Sequence, residues 1–478
     1  MDSFSTYLAI AIFIAAGTTI AWASKRFLKK EAKDFYTAGG RFGTVLASFS
    51  YAATTYSAFM FIGLVGLSYA SGVGTLGFEL VYFMGTLFLL YYIAPKYWSL
   101  HKKFGFISPA EVMSERYGSR SVGAVVTLIS LVALIPYSTS QIIGVAFAAE
   151  GASGGAVPFT SAVLIAVVVA LLWSIIAGIW SVGWTDVFQG LIMITAGVAV
   201  LIWAFVWGTQ QVAFDIAKLG SLTYVPNQFW TFQNFVNMTL PWFFFAITNP
   251  QVVQRLFAPK SERAQRGMII WFGVYGLFFT LLVVTLGLLL SGFTAEGIFP
   301  AIAYRDSVTP TLLGMMPFWL STLGLVAVIA ASVSTIDGII LTLSSMAARD
   351  LFRAYLSKGK QGAEVLVGRL TIGILALLCT AFALSKPGFI VDLAVLSSSL
   401  LLPQAPVVIG MFAWKRGGKW AASSAVISGF AAAVIMYLLK ASPLGVPSNV
   451  WTIVVASAVY VAVALVENAA IDPEFFEG

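Results

Sequence analysis

Ser334, Thr335 and Asp337 lie close together inside an apolar run, GLVAVIAASVSTIDGIILTLSSMAARDLF. Ala331, Ser334 and Thr335 fall at i, i+3 and i+4, so in a helix they share one face. Two hydroxyls on one face offer the hard oxygen ligands that a sodium ion takes, completed by carbonyls freed where another helix unwinds. The alternative use of each hydroxyl is a bond back to the carbonyl four residues earlier. Two further carboxylates stand in apolar surroundings, Glu79 and Asp186. A charge near the centre of a bilayer costs at least ~2.5–3.5 kcal/mol, so all three acids are candidates for function. Asp186 is alternatively an N-cap or first-turn acid favoured by the helix dipole. Glu79 and Asp337 are alternatively protonated or internally paired. No Lys or Arg is expected at comparable depth to pair with them. Asp392 reads as interfacial.

The carbonyls for an ion have a candidate source. The stretch LASFSYAATTYSAFMFIGLVGLSY carries Ser48, Ser50, Thr54, Thr55 and Ser57. Hydroxyls compete for backbone hydrogen bonds and allow local unwinding. Ala52, Ala53 and Ala58 permit close approach of another helix, and packing through the hydroxyls is the alternative reading. A second interrupted stretch is FVNMTLPWFFFAITNPQVVQRLF. Pro250 removes a backbone donor and clashes near residue 246. Asn249 before it is pushed out of the helical region, and Pro241 adds a second interruption.

These stretches belong to a chain that is 59% hydrophobic and 10% charged, with 43 Gly in 478 residues. Apolar runs long enough to span, roughly 20 residues each, fall near 4–24, 42–68, 75–95, 121–148, 158–180, 186–208, 234–257, 268–292, 311–346, 364–384, 389–413, 420–440 and 449–467. No alternating β-barrel pattern is present, so the spans are read as helices. The first is read as retained rather than as a signal peptide. All Lys and Arg except Lys218, Arg305, Lys386 and Lys440 fall in five clusters, Lys25 to Arg41, Lys96 to Arg120, Arg255 to Arg266, Arg349 to Arg369 and Lys415 to Lys419. Each cluster joins an odd span to an even one, so all share one side. Basic residues gather on the cytoplasmic side. The expectation is therefore an all-α integral membrane protein of 13 helices, with the N-terminus outside and the C-terminus inside.

The two interrupted spans are five apart and so cross in opposite directions. Broken helices at matching positions of inverted halves point to a transporter's central site. The repeats are residues 42–208 and 234–413, with an extra helix at 4–24 and two more at 420–467, all in one transporter domain.

The net charge of +7 suits cytoplasmic loops facing anionic lipid rather than nucleic acid. One Cys, Cys379, and one His, His101, exclude disulfide frameworks and metal–thiolate sites and leave little for His-based chemistry. No nucleophile–base pair or nucleotide-binding loop is visible, so an enzyme is not expected. A channel would need a repeated filter motif, which is lacking.

Five stretches in order resemble the sodium/solute symporter family of bacterial proline, sialic acid and sugar symporters: DFYTAGGRFG (Asp34–Gly43), SYAATTYSAFMFIG (Ser50–Gly63), GIWSVGWTDVFQ (Gly178–Gln189), FFFAITNPQVVQRLFA (Phe243–Ala258) and AASVSTIDGIILTLSSMAARDLF (Ala330–Phe352). The resemblance implies a LeuT-type inverted 5+5 repeat and alternating access. It implies a sodium site of the Ala53, Tyr56 and Ala331 carbonyls with the Ser334 and Thr335 hydroxyls. Some members hold a second sodium with the aspartate matching Asp186 and with hydroxyls one turn on, but here those positions are Asp337 and Gly338. Asp186 and Asp337 are then candidates for a second cation or a proton. The implied solute pocket takes Glu79, Thr54, Thr55 and Ser57, walls from Trp242 and Phe245, and Tyr137 and Gln141. The expected function is sodium-coupled import of a small organic solute, a monocarboxylate or an amino acid, across the plasma membrane. The alternatives are a sugar, a polyol or a choline-like cation, a passive channel, or a transporter-like receptor. Sodium and lipid are the expected partners, with no organic cofactor, no nucleic acid and function as a monomer.

Overall fold

Apolar runs fold as helices because, in hydrocarbon, every backbone group must find its partner within the segment. The computed structural model describes residues 1–29, 31–356, 363–467 and 475. Lys30, Lys358 and Lys360 of the basic clusters lie outside the described residues. The first half contains α1 (Ser3–Ala23), α2 (Ala32–Thr37), α3 (Thr44–Thr55), a π turn (Phe59–Leu64) leading into α4 (Val65–Ser71), α5 (Gly74–Phe104), α6 (Pro109–Arg116), α7 (Arg120–Ala152), α8 (Phe159–Ala177) and α9 (Ile179–Thr209). The second contains α10 (Phe232–Phe243), α11 (Phe245–Thr248), α12 (Pro250–Arg255), α13 (Glu262–Ala295), α14 (Val308–Met315), α15 (Phe318–Met346), α16 (Ala363–Leu384), α17 (Ile390–Leu401) and α18 (Gln404–Ala413). Then come α19 (Lys419–Leu439) and α20 (Ser448–Val466).

Among the described residues, nine helices are long and apolar enough to cross a membrane, or up to eleven if each bent pair is one span. The bent pairs are Thr44–Thr55 with Phe59–Ser71, at 50°, and Ile390–Leu401 with Gln404–Ala413, at 46°. The two other expected spans, 158–180 and 234–257, fall on α8 and on the interrupted series α10 to α12. The expected span 311–346 is divided. Met316 and Pro317 are extended, so α15 begins only at Phe318.

α15 is the centre of the fold, packed against α3, α7, α8, α9, α12 and α16. Most of its side chains are buried, polar ones included. The segment before α3 is tied to the segment after α12: Phe42 N donates to Ala258 O at 2.8 Å and Lys260 N to Phe42 O at 2.9 Å. The two broken helices are thereby fixed to each other at one end. On the same loop region, the buried Arg116 donates to the Met411, Trp414, Arg416 and Gly417 carbonyls at 2.8–3.3 Å. It thereby satisfies the Met411 carbonyl in the last turn of α18 and three carbonyls in the segment that follows.

Candidate functional site

The site is built at the end of α3. The helix stops at Thr55 because Tyr56 turns extended, with φ −93° and ψ 109°. The amides beyond the break are not left bare: Ala58 N donates to Gln141 Oε1 at 3.0 Å, and Phe59 N to Ser57 Oγ at 3.2 Å. Asn249 breaks the second helix with nearly the same geometry, φ −93° and ψ 108°. Pro250 then opens α12 at its first position, where its missing N–H costs nothing.

α15 lays its hydroxyls against the first break. Ser334 Oγ donates to Ala53 O at 2.8 Å and Ala331 O at 3.1 Å. Thr335 Oγ1 lies 3.5 Å from Ala53 O and 3.3 Å from both Thr54 O and Ala331 O. Four of the five expected oxygens, from Ala53, Ala331, Ser334 and Thr335, are brought together with the Thr54 carbonyl. None of these hydrogen bonds uses the Tyr56 carbonyl. Both hydroxyl residues are fully buried. Hydroxyl and carbonyl oxygens from two segments, converging where a helix is broken, fit the donor set of an alkali cation.

Beside this cluster lies a charged one, and two expectations are corrected there. α9 begins at Ile179, not near Asp186. Asp186 is thus two turns inside the helix and is not a cap. Its Oδ2 accepts from Ser50 Oγ at 2.8 Å. A basic residue does reach this depth. Arg255, placed by sequence in a cytoplasmic cluster, is 1% exposed, and its guanidinium is within electrostatic reach of both Asp186 and Asp337. Gly338 makes room for it: a Cβ there would come 2.8 Å from Thr54 Cγ2 and 3.0 Å from Arg255 Nη2.

The residues expected around a solute divide into two groups. Thr54 faces Gly338 and the Arg255 cluster. Thr55 is bonded back to Tyr51 O at 2.7 Å, and Gln141 is committed to the break. Glu79, Ser57, Tyr137, Trp242 and Phe245 stay together. Ser57 Oγ and Tyr137 OH are 3.4 Å apart. Trp242 is the hub of an aromatic wall. Its ring centre lies 4.8 Å from Phe59, 5.0 Å from Phe245 and Tyr82, 6.2 Å from Tyr137 and 6.5 Å from Phe78. Glu79, without exposed surface, lies within electrostatic reach of Tyr56, Tyr82 and Tyr137.

The family model of sodium:solute symporters matches residues 35–429, most of the chain. The chain belongs to the sodium:solute symporter family. It is a sodium-coupled symporter of small organic solutes, a multi-pass membrane protein and not an enzyme. This symporter is 25% identical over 427 residues to a sodium/pantothenate symporter of Haemophilus influenzae, 86% of each chain. It is 25% identical over 497 residues to a monocarboxylate transport permease protein of Rhizobium johnstonii, covering 98% of this chain and 97% of the relative. The structure of a Na+-coupled sialic acid symporter, substrate-bound and outward-open, matches with a TM-score of 0.78 at 18% identity, over 98% of this chain and 99% of that one. That likeness is one of fold.

Reading the residues missed two features of the symporter's core. One is Arg255. The other is the part of the wall made by Phe59, Phe78 and Tyr82. Tyr82 had a signal, since it stands three residues after Glu79 on the same helix face.

Proposed function

We propose that this symporter imports a monocarboxylate or an amino acid across the plasma membrane by alternating access. In this reading it has 13 spans, with the N-terminus outside and the C-terminus inside, and works as a monomer. The two halves, 42–208 and 234–413, form a LeuT-type inverted repeat. Sodium binds between α3 and α15, on the Ala53, Tyr56 and Ala331 carbonyls and the Ser334 and Thr335 hydroxyls. The solute binds beside it, against Ser57, Glu79, Tyr137, Trp242 and Phe245. Asp186 on α9 and Asp337 on α15 face the charge of Arg255 on α12, beside the sodium.

The observation that carries this reading is the contact of the Ser334 and Thr335 hydroxyls with the Ala53 carbonyl, 2.8 and 3.5 Å away. An ion at that point joins a broken helix to the central helix, so its binding biases how they sit. The matching geometry of the two breaks supports the repeat. The test is uptake into proteoliposomes of a labelled panel of monocarboxylates, amino acids, sugars and choline. One member should accumulate under an inward sodium gradient and not under a potassium gradient of equal size. Accumulation that ignores the sodium gradient would refute the coupling.

A further inference from the structure

Glu79 is a buried acid that the protein itself does not balance. Neither of its oxygens has a hydrogen-bond partner, and no ion pair among the described residues includes it. Arg255 lies within electrostatic reach of Asp186 and Asp337. A buried carboxylate left without a counter-charge is costly, and a bound cation offsets that cost. The surroundings suit one kind of cation. α5 sets Glu79, Tyr82 and Phe83 on one face, Tyr137 and Tyr56 approach from other helices, and Trp242 lies edge-on to Tyr82 at 5.0 Å, with their planes at 76°. A small inorganic ion wants several hard oxygens. Here the residues around Glu79 are mostly aromatic, and aromatic rings attract organic ammonium groups through cation–π contact.

The opposite charge has a separate place. Among the described residues no ion pair or cation–ring contact sets a Lys or Arg against Glu79, Tyr82, Tyr137 or Trp242, and Ser57 and Gln141 already hold the amides at the break. A carboxylate on the same solute would face sodium on the α3–α15 side. A simple monocarboxylate, by contrast, brings no cation to Glu79.

We propose that the solute carries a protonated or quaternary amine, paired with Glu79 against the rings of Trp242, Tyr82 and Tyr137. The substrate class is small zwitterions and organic cations, not simple monocarboxylates. This rests on the symport reading above and narrows its solute.

The parent, Glu79→Gln and Glu79→Asp are reconstituted in proteoliposomes with an inward sodium gradient. Labelled L-proline, glycine betaine and choline are compared with labelled L-lactate and pyruvate. The expected result is sodium-driven uptake of at least one ammonium probe, with competition from its own class and none from lactate or pyruvate. In Glu79→Gln the KM for that probe rises about 10- to 100-fold, the loss of one charged contact, while half-saturating sodium stays close to the parent's. Glu79→Asp keeps the charge and recovers part of the loss. Melting curves of the purified variants show that each is folded. Sodium-driven uptake of lactate or pyruvate without competition from the ammonium probes overturns the assignment and leaves symport standing. So does failure of all three ammonium probes in protein that sodium still stabilises against heat. An unchanged KM in Glu79→Gln also overturns it. Uptake of an ammonium probe that is indifferent to sodium supports the solute class and overturns symport.

Discussion

Changing Ser334 and Thr335 together to Ala removes two oxygens from the proposed sodium site and leaves the carbonyls in place. A contact from a hydroxyl to a charged group contributes about 1.5–3 kcal/mol, and one between neutral groups about 0.5–1.5 kcal/mol. The difference matters, because both hydroxyls also bond to carbonyls. Each loss therefore weakens sodium binding by only about 1–1.5 kcal/mol. The pair then loses about 2–3 kcal/mol, which raises half-saturating sodium roughly 30- to 100-fold. The two sites touch, so strict additivity is not expected. Thr335 makes the longer bonds, 3.3–3.5 Å against 2.8 Å for Ser334 to Ala53. It gives up less on meeting an ion, so Thr335→Ala should cost more sodium affinity than Ser334→Ala. The assay is a sodium titration of uptake, repeated as sodium-dependent melting of the purified protein. Sodium dependence in the double variant equal to the parent's would place the ion elsewhere and refute the reasoning.

Three further outcomes are expected. Arg255→Met removes the cation within electrostatic reach of Asp186 and Asp337 and should lower stability, read by denaturant unfolding in detergent; parent-like stability would mean that the arginine does not balance them. Asp186→Asn keeps an acceptor for Ser50 and weakens that bond by only about 1–1.5 kcal/mol, and it should lower transport or its sodium coupling; parent-like transport would leave this acid a packing role only. Asp306, in the loop between α13 and α14, accepts from Ile390 N at 2.7 Å, and burial pushes its carboxyl up to about 7 from an ordinary 3.8. Between those values the folded protein holds a proton that the unfolded chain has lost, so stability should fall as pH rises from about 4 to about 7. Asp306→Asn should flatten that slope in melts at pH 5 and pH 8, and an unchanged slope would assign it to other groups.

How much of this was legible depends on the range of the forces involved. The break at Asn249 is written locally, because proline removes a donor and constrains the residue before it. The break at Tyr56 has no proline or glycine behind it. The hydroxyl-rich run hinted at it, but it is capped by Gln141, 83 residues away, and no local pattern shows that bond. Pro403 was the local signal for the 46° bend between α17 and α18, inside a stretch read as a single span. Arg255 was misplaced because charge clustering treats the four basic residues from Arg255 to Arg266 as one loop. The distance tells against that: Arg255 follows the Asn249 break by six residues, and a helix rises only about 1.5 Å per residue. It therefore stays near the depth of the break. Asp186 resembled a cap because the long, apolar α9 was expected to begin there. Gly178, at φ 56°, lets the chain turn and start the helix earlier.

The placement of Arg255 also gives a physical reason for Gly338. At that position the resemblance implied a hydroxyl for a second sodium ion. A side chain there would run into Thr54 and Arg255, so glycine and the arginine belong to one arrangement. Thr54 links that arrangement to the first ion site, since its carbonyl meets Thr335 and its side chain meets Gly338. In this reading the arginine is a cation built into the chain where some relatives use a mobile one, and it reaches α15 only because Pro250 starts α12 at the depth of the break.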